Sequence, residues 1–197
     1  DTSFSPLWPK SVAALCKTLV FLHGRGVFHA DIRPPNILFT KLGKEVKLID
    51  FGRSHVGEVT GDGNFIGTSV ASSPHSYNPA ALALGLEEDR LCNIKDDWYA
   101  LACSVHALSH PGVLNAVERL RHPGVNGSRD KLRRFWAQEE TRSTQFLSMM
   151  KAIRENATDD EICAAMSAVF VPVPVPAPAV PAAPAPAAPV APAPAAP

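Results

Sequence analysis

A mainly α-helical fold with one small β-hairpin and a disordered Pro/Ala-rich tail is what the sequence predicts, on three observations. After Asp97 the text WYALACSVHAL, ending at Leu108, is apolar nearly all round, which marks a helix buried in the middle of a domain. The stretches LNAVERL, KLRRFWAQEE, FLSMMKAIREN and DDEICAAMSAVF place further helical, amphipathic patches between Val113 and Phe170. β-prone runs are short: Ile37 to Thr40 and Val46 to Ile49, separated by KLGKE, where Gly43 suits a hairpin turn.

The remaining elements follow in chain order. From Ser11 to His23 the apolar residues Val12, Leu15, Cys16, Leu19 and Leu22 form one helical stripe. Gly24 stands where a left-handed C-cap is expected, and Gly26 frees the turn beyond it. Val27 and Phe28 lead into FHADIRPPNILF and the hairpin. From Gly52 to about Leu91 the text is rich in Gly, Ser, Asn and Pro without a strong period, which predicts a long irregular segment of the functional or mobile kind. Beyond Phe170 the chain holds only Val, Ala and Pro. Such a run favours solvated polyproline II, a spacer reaching roughly 80 Å, with a tail-mediated partner as its functional reading.

Composition narrows the classes of function. Nineteen Lys and Arg against nineteen Asp and Glu give no net charge, so no global basic field points to nucleic acid or anionic lipid. No apolar run has the length of a membrane span, and no signal peptide is legible. Cys16, Cys92, Cys103 and Cys163 lack metal-type spacing and read as reduced core residues of an intracellular, cytoplasmic protein. The cluster Arg129, Lys131, Arg133 and Arg134, interrupted by Asp130, reads as a solvated helix face.

The chemistry-bearing residues bracket the hairpin: Asp31 and Asn36 precede it and Asp50 follows it. Two carboxylates and a carboxamide at the two ends of one hairpin can converge on a point. That set suits phosphoryl transfer, in which one acid orients a hydroxyl while an Asn and a second Asp hold Mg²⁺ against phosphates.

The pattern His29-x-Asp31-x-x-x-x-Asn36, followed fourteen residues later by Asp50-Phe51-Gly52, resembles the catalytic loop and Asp-Phe-Gly motif of the eukaryotic-type protein kinase family. LGLEEDRLCNIKDDWYALA resembles the approach to the central helix of casein-kinase-one-type members. Gly67-Thr68 with Ser73-Pro74-His75, or alternatively with Asn78-Pro79-Ala80, resembles the end of an activation segment without its usual glutamate. The resemblance implies a kinase-like carboxy-terminal lobe over residues 1–170, followed by the tail at 171–197. It implies Asp31 as catalytic base and Arg33 as the cation that steadies the transferred phosphoryl group. Asn36 and Asp50 are implied as Mg²⁺ ligands, and Leu38 as a contact beneath the adenine of ATP. The resemblance further implies that His29 is a structural residue packed beside Phe51, that Gly52 completes the motif, and that Thr68 takes the substrate-site threonine position. Asp97 is implied to bond the catalytic-loop backbone, while its residue type and place also suit a helix N-cap.

Two departures qualify the resemblance. No Gly-rich loop, strand lysine or partner-glutamate helix occurs among the thirty residues before Asp31, so the expected chain is a carboxy-terminal-lobe fragment, weakly active or inactive alone, with an upstream part before Asp1. Ala30 stands where many kinases carry an arginine that binds a phosphate on the activation segment, which implies a non-RD type with no such partner for a phosphate on Thr60 or Thr68. The expected function is transfer of phosphate from ATP to a protein hydroxyl, of the Ser/Thr kind. The alternatives are a pseudokinase or effector-type binding module, and a small-molecule kinase of the aminoglycoside or choline kinase type, a class that shares the His-x-Asp-x-x-x-x-Asn logic with the atypical kinases whose loop begins His-Ala-Asp.

Overall fold

The computed structural model describes residues 8–40, 45–61, 65–69, 93–121, 128–155 and 158–168. Gly43, Cys92, the motifs at 73–80 and the tail lie outside the described residues. Six α-helices and five strands are seen there: α1 (Trp8–His23), β1 (Val27–Phe28), β2 (Ile37–Phe39), β3 (Val46–Leu48), β4 (His55–Val59), β5 (Phe65–Ser69), α2 (Ile94–Ser109), α3 (Pro111–Arg121), α4 (Ser128–Arg142), α5 (Thr144–Arg154) and α6 (Asp159–Ala168). A 3₁₀ turn, Pro34–Asn36, precedes β2.

α2 is the centre of the molecule. Every residue from Asp96 to Ala107 is buried, as expected of a helix without a polar face. Its start is fixed by a capping box: Asn93 Oδ1 accepts from Lys95 N–H, and Asp96 Oδ2 accepts from Asn93 N–H. Around it pack α1, α3 and α5. One core joins Val12, Leu15 and Leu19 of α1, Trp98, Leu101 and Val105 of α2, and Phe146, Met149 and Ile153 of α5. Trp8 Nε1–H donates to Ser109 Oγ at 3.0 Å, tying the start of α1 to the end of α2. On the outer face of α4, Arg133 pairs with Asp130 at 2.8 Å in an exposed i,i+3 contact.

Three expectations are corrected. α1 begins at Trp8 rather than Ser11, because Pro9 falls in the first turn, where a missing N–H costs no intrahelical bond. The left-handed glycine is Gly26, with φ 64°, and not Gly24, whose N–H continues the helical pattern to Val20 O at 3.0 Å. A Cβ on Gly26 would lie 1.8 Å from the Gly57 carbonyl oxygen, so the close approach of two backbones demands glycine there.

The segment after Gly52 is also not irregular throughout. β4 and β5 pair antiparallel with Gly57 opposite Gly67, and β1 adds to β4 through Phe28 opposite His55, giving the sheet order β1-β4-β5. Two of the glycines that make this stretch read as loop, Gly57 and Gly67, are paired across the strands. The expected hairpin forms a separate two-stranded sheet, with Ile37 opposite Leu48 and Phe39 opposite Val46.

Candidate active site

The site is built on a carboxylate inside α2. Asp97, fully buried at 0% exposure, accepts three hydrogen bonds: His29 N–H at 2.8 Å and His23 Nε2–H at 3.1 Å on Oδ2, and Ala30 N–H at 3.0 Å on Oδ1. Asp97 therefore lies within the first turns of α2 and does not cap it; Asn93 does that. Two successive backbone N–H groups can aim at one carboxylate only if the chain turns sharply, and Ala30 adopts φ 62° to do so. That conformation costs an alanine about 1–2 kcal/mol, offset by charge-assisted bonds in a dry interior. The small side chain at position 30 thus has a structural use, since the residue is fully buried in a left-handed conformation.

His29 links both ends of the site. Its Nε2 lies 3.1 Å from Ile49 O, which can only accept, and its Nδ1 lies 3.3 Å from Asp31 N–H, which can only donate. Those partners fix a neutral ring carrying its proton on Nε2. The ring is buried and tilts against Phe51 with centroids 4.7 Å apart. Ser54 Oγ–H donates to the His29 carbonyl at 3.3 Å.

Asp31 is buried, and its Oδ2 accepts from Arg33 Nε–H at 3.2 Å and Asn36 Nδ2–H at 3.0 Å. Both bonds use one oxygen, Oδ2, and Oδ1 takes part in neither. Asn36 donates again, to Asp31 O at 2.8 Å. Its amide nitrogen is thereby committed to Asp31, and its amide oxygen is the ligand-type atom. The Arg33 side chain is 40% exposed at the edge of this cluster.

The second carboxylate follows the hairpin. Ile49 N–H donates to Asn36 O at 2.9 Å, extending the β2–β3 ladder by one residue, so that Ile49 stands opposite Asn36 and Asp50 follows it in the chain. Asp50 also adopts a left-handed backbone, φ 66°, is exposed, and accepts from Gly52 N–H at 3.3 Å. Leu38 on β2 is 52% exposed, and Phe39, Ile49 and Phe51 are exposed nearby in sequence. Thr68 lies in β5, its backbone paired opposite Val56.

The donors available to a cation are hard oxygens, one carboxylate and one carboxamide, which fit Mg²⁺ held jointly by protein and phosphate oxygens. Among the described residues no cluster of three or more His, Cys, Asp or Glu could cage a metal unaided. Sequence reasoning missed His23 and Ser54, which hold the loop from either side. A histidine as the last residue of α1, just before the glycine turn, was the available signal for His23. Ser54 carried none, since its partner is a backbone carbonyl distant in sequence.

Comparison with known proteins bears on this geometry. The family model described as "Protein kinase domain" matches residues 8–158, more than half of the chain. The dual specificity protein kinase zak2 of Dictyostelium discoideum is 34% identical over 97 residues, covering 48% of this chain and 14% of that protein. MAP3K epsilon protein kinase 2 of Arabidopsis thaliana is 35% identical over 94 residues, covering 48% of this chain and 6% of that protein. The serine/threonine-protein kinase Kist of Mus musculus is 37% identical over 86 residues, covering 43% of this chain and 20% of that protein. The chain spans well under two thirds of the relatives it matches. Among the described residues no helix is long and apolar enough to cross a membrane. By the extent of the family match and the motifs it contains, the chain belongs to the protein kinase domain family.

Proposed function

We propose that residues 1–170 carry the catalytic-loop half of a serine/threonine protein kinase, with 171–197 as a spacer. The observation that supports this best is the bonding of Asp31 to Asn36 through one carboxylate oxygen, with Asn36 tied by its carbonyl to the strand that delivers Asp50. In this reading Asp31 Oδ1 orients the acceptor hydroxyl and takes its proton. Arg33 moves from Asp31 toward the transferred phosphoryl, where its fork of donors suits the spread charge. The Asn36 amide oxygen and the Asp50 carboxylate hold Mg²⁺. When bound, Mg²⁺ neutralises the charge of the ATP phosphates. Leu38 lies beneath the adenine and Thr68 lines the acceptor side. His29, Phe51, Gly52 and Asp97 position the loop.

The same reading assigns weak or no activity to these 197 residues alone. They contain no Gly-rich loop or strand lysine to clamp the phosphates, and phosphoryl transfer depends on positioning. Radiolabelled phosphate transfer by the purified chain, compared with Asp31→Asn, checks this: both stay near background. Clear Asp31-dependent turnover would refute the assignment of weak activity. Without a cation at position 30, phosphatase treatment leaves any activity of the longer protein unchanged; an activity abolished by phosphatase and mapped to Thr60 or Thr68 refutes that part.

A binding-module reading draws on the exposed apolar residues Leu38, Phe39, Ile49 and Phe51. Thermal-shift titration with Mg-ATP separates the two, because a ligand of the folded state raises the melting temperature. The kinase reading expects a rise that Asp50→Asn removes. No rise at any concentration favours the module.

A further inference from the structure

Away from the site, α1 and α6 leave an open groove of about 370 Å³, lined by Lys17, Val20 and Phe21 of the first helix and Asp160, Ala164 and Ser167 of the second. Val20 and Phe21 are exposed, Phe21 at 55%. The Phe21 ring is held in place all the same. The Arg25 guanidinium carbon stands 3.5 Å from its centroid, and Arg25 Nη1–H donates to Phe21 O at 3.3 Å. The two helices pack on each other, with Cys16 Sγ 3.8 Å from Met166 Sδ in the core. One wall of the groove is thus aromatic, and the small side chains Ala164 and Ser167 keep the other low.

We propose that residues 171–176, Val-Pro-Val-Pro-Val-Pro, fold back from the end of α6 and lie in this groove as polyproline II, anchoring the root of the tail. Position is the first argument. α6 ends at Ala168 and Ser167 lines the groove, so the segment begins three residues past the helix. From Ser167 to Asp160 the wall is about 10 Å long at about 1.5 Å per helical residue. Four residues of polyproline II cover about 12 Å, which leaves the others for the reversal. Bulk is the second argument: the segment holds three of the tail's five valines, and the stretch after it is mostly alanine and proline. With three residues per turn, Val171 shares a face with Pro174 and Val173 with Pro176.

The chemistry of the two surfaces matches. Proline rings pack on aromatic side chains in recognition of polyproline II, and Phe21 supplies one. Every second residue of the segment lacks an N–H, so it offers chiefly carbonyl acceptors, and Lys17 Nζ and Ser167 Oγ–H at the groove are donors. The segment carries no charge to desolvate, and proline has already fixed much of its backbone. A tether this short gives an effective concentration on the order of mM, so a weak contact suffices. Residues 177–197 are left as the spacer, roughly 65 Å at about 3.1 Å per residue, with a starting point fixed on the domain.

The test is NMR on the isotope-labelled full chain. Nuclear Overhauser contacts are expected between the Phe21 ring and the proline side chains of residues 172–176, unchanged on dilution. The Val173 and Val175 amides should give heteronuclear Overhauser values above those of Ala187 and Ala188. Val173→Asp combined with Val175→Asp should abolish the contacts and shift the amides of Val20, Phe21 and Ala164, while those of Trp98 and Met149 in the core stay in place. Phe21→Ala should release the same segment. The proposal is overturned if Val173 and Val175 are as mobile as Ala187, or if the double substitution leaves the groove amides unshifted. Contacts that join only differently labelled copies also overturn it, because a second copy would then be the occupant.

Discussion

The two carboxylates of the candidate site sit in opposite surroundings. Asp31 is buried, shares an oxygen with Arg33 and Asn36, and follows a loop whose backbone is bonded to Asp97 in the core. Asp50 is exposed, and Gly52 N–H, at a long 3.3 Å, supports its side chain. The first half is preorganised by the fold, as the proposed role of aligning a hydroxyl would require. The second has room to adjust, which the proposed role in holding Mg²⁺ together with phosphate oxygens would require.

Removing the anchor gives the largest expected effect. Asp97→Ala orphans three buried donors on His23, His29 and Ala30, and leaves Ala30 in a left-handed conformation with nothing to offset it. A loss of about 3–5 kcal/mol is expected, read as a lower urea midpoint at an unchanged slope. A loss within about 1 kcal/mol would mean that the loop is held by other contacts.

Next comes Asn36→Ala, which removes both bonds to Asp31 and leaves that carboxylate buried beside Arg33 alone. The expected cost is about 1–3 kcal/mol in the same measurement. Equal costs for Asn36→Ala and a substitution at Asp50 would erase the contrast between the two halves.

Acid weakens the buried side of the molecule. Burial lowers the pKa of His55, which packs against Phe28, with the Asp97 charge opposing in part. His106 is likewise lowered by burial, with its bond to Glu139 opposing and His110 assisting. For groups depressed below 6.5, the unfolded chain binds protons first as pH falls. Their contribution is therefore complete above that value and is lost as pH drops through the folded values. Urea midpoints at about pH 7.5 and about pH 5.5 should fall in that order, and less steeply in His106→Gln.

The smallest effect on stability belongs to Asp50→Asn. Asparagine tolerates the left-handed backbone and keeps an acceptor for Gly52 N–H, so the change stays within about 0.5 kcal/mol, while the proposed cation binding should be lost. A large destabilisation would show that Asp50 is a structural residue.

The helical fold was legible because α2 and the amphipathic helices carry their period in the text. The hairpin was legible because Ile37 to Thr40 and Val46 to Ile49 are β-prone runs with a turn between them. β4 and β5 were not, since Gly57 and Gly67 dilute the strand signal and only the partner strand reveals their use. At the site, residue types and spacing pointed to Asp31, Asn36 and Asp50 together. What spacing could not carry was the long-range bonding: His23 to Asp97, Ser54 to the His29 carbonyl, and the left-handed turn at Ala30. Those depend on contacts across many tens of residues and on a backbone angle that leaves little trace in composition.

The most direct test is a Mg²⁺ titration of the isotope-labelled chain, followed by NMR at the Asn36 side-chain amide and the Asp50 backbone N–H. Both resonances should shift together in a saturable manner. In Asp50→Asn the shifts should vanish, while the rest of the spectrum, including the His29 and Ala30 amides bonded to Asp97, stays in place. Shifts confined to other residues, or unaltered by Asp50→Asn, would contradict a cation site shared by Asn36 and Asp50.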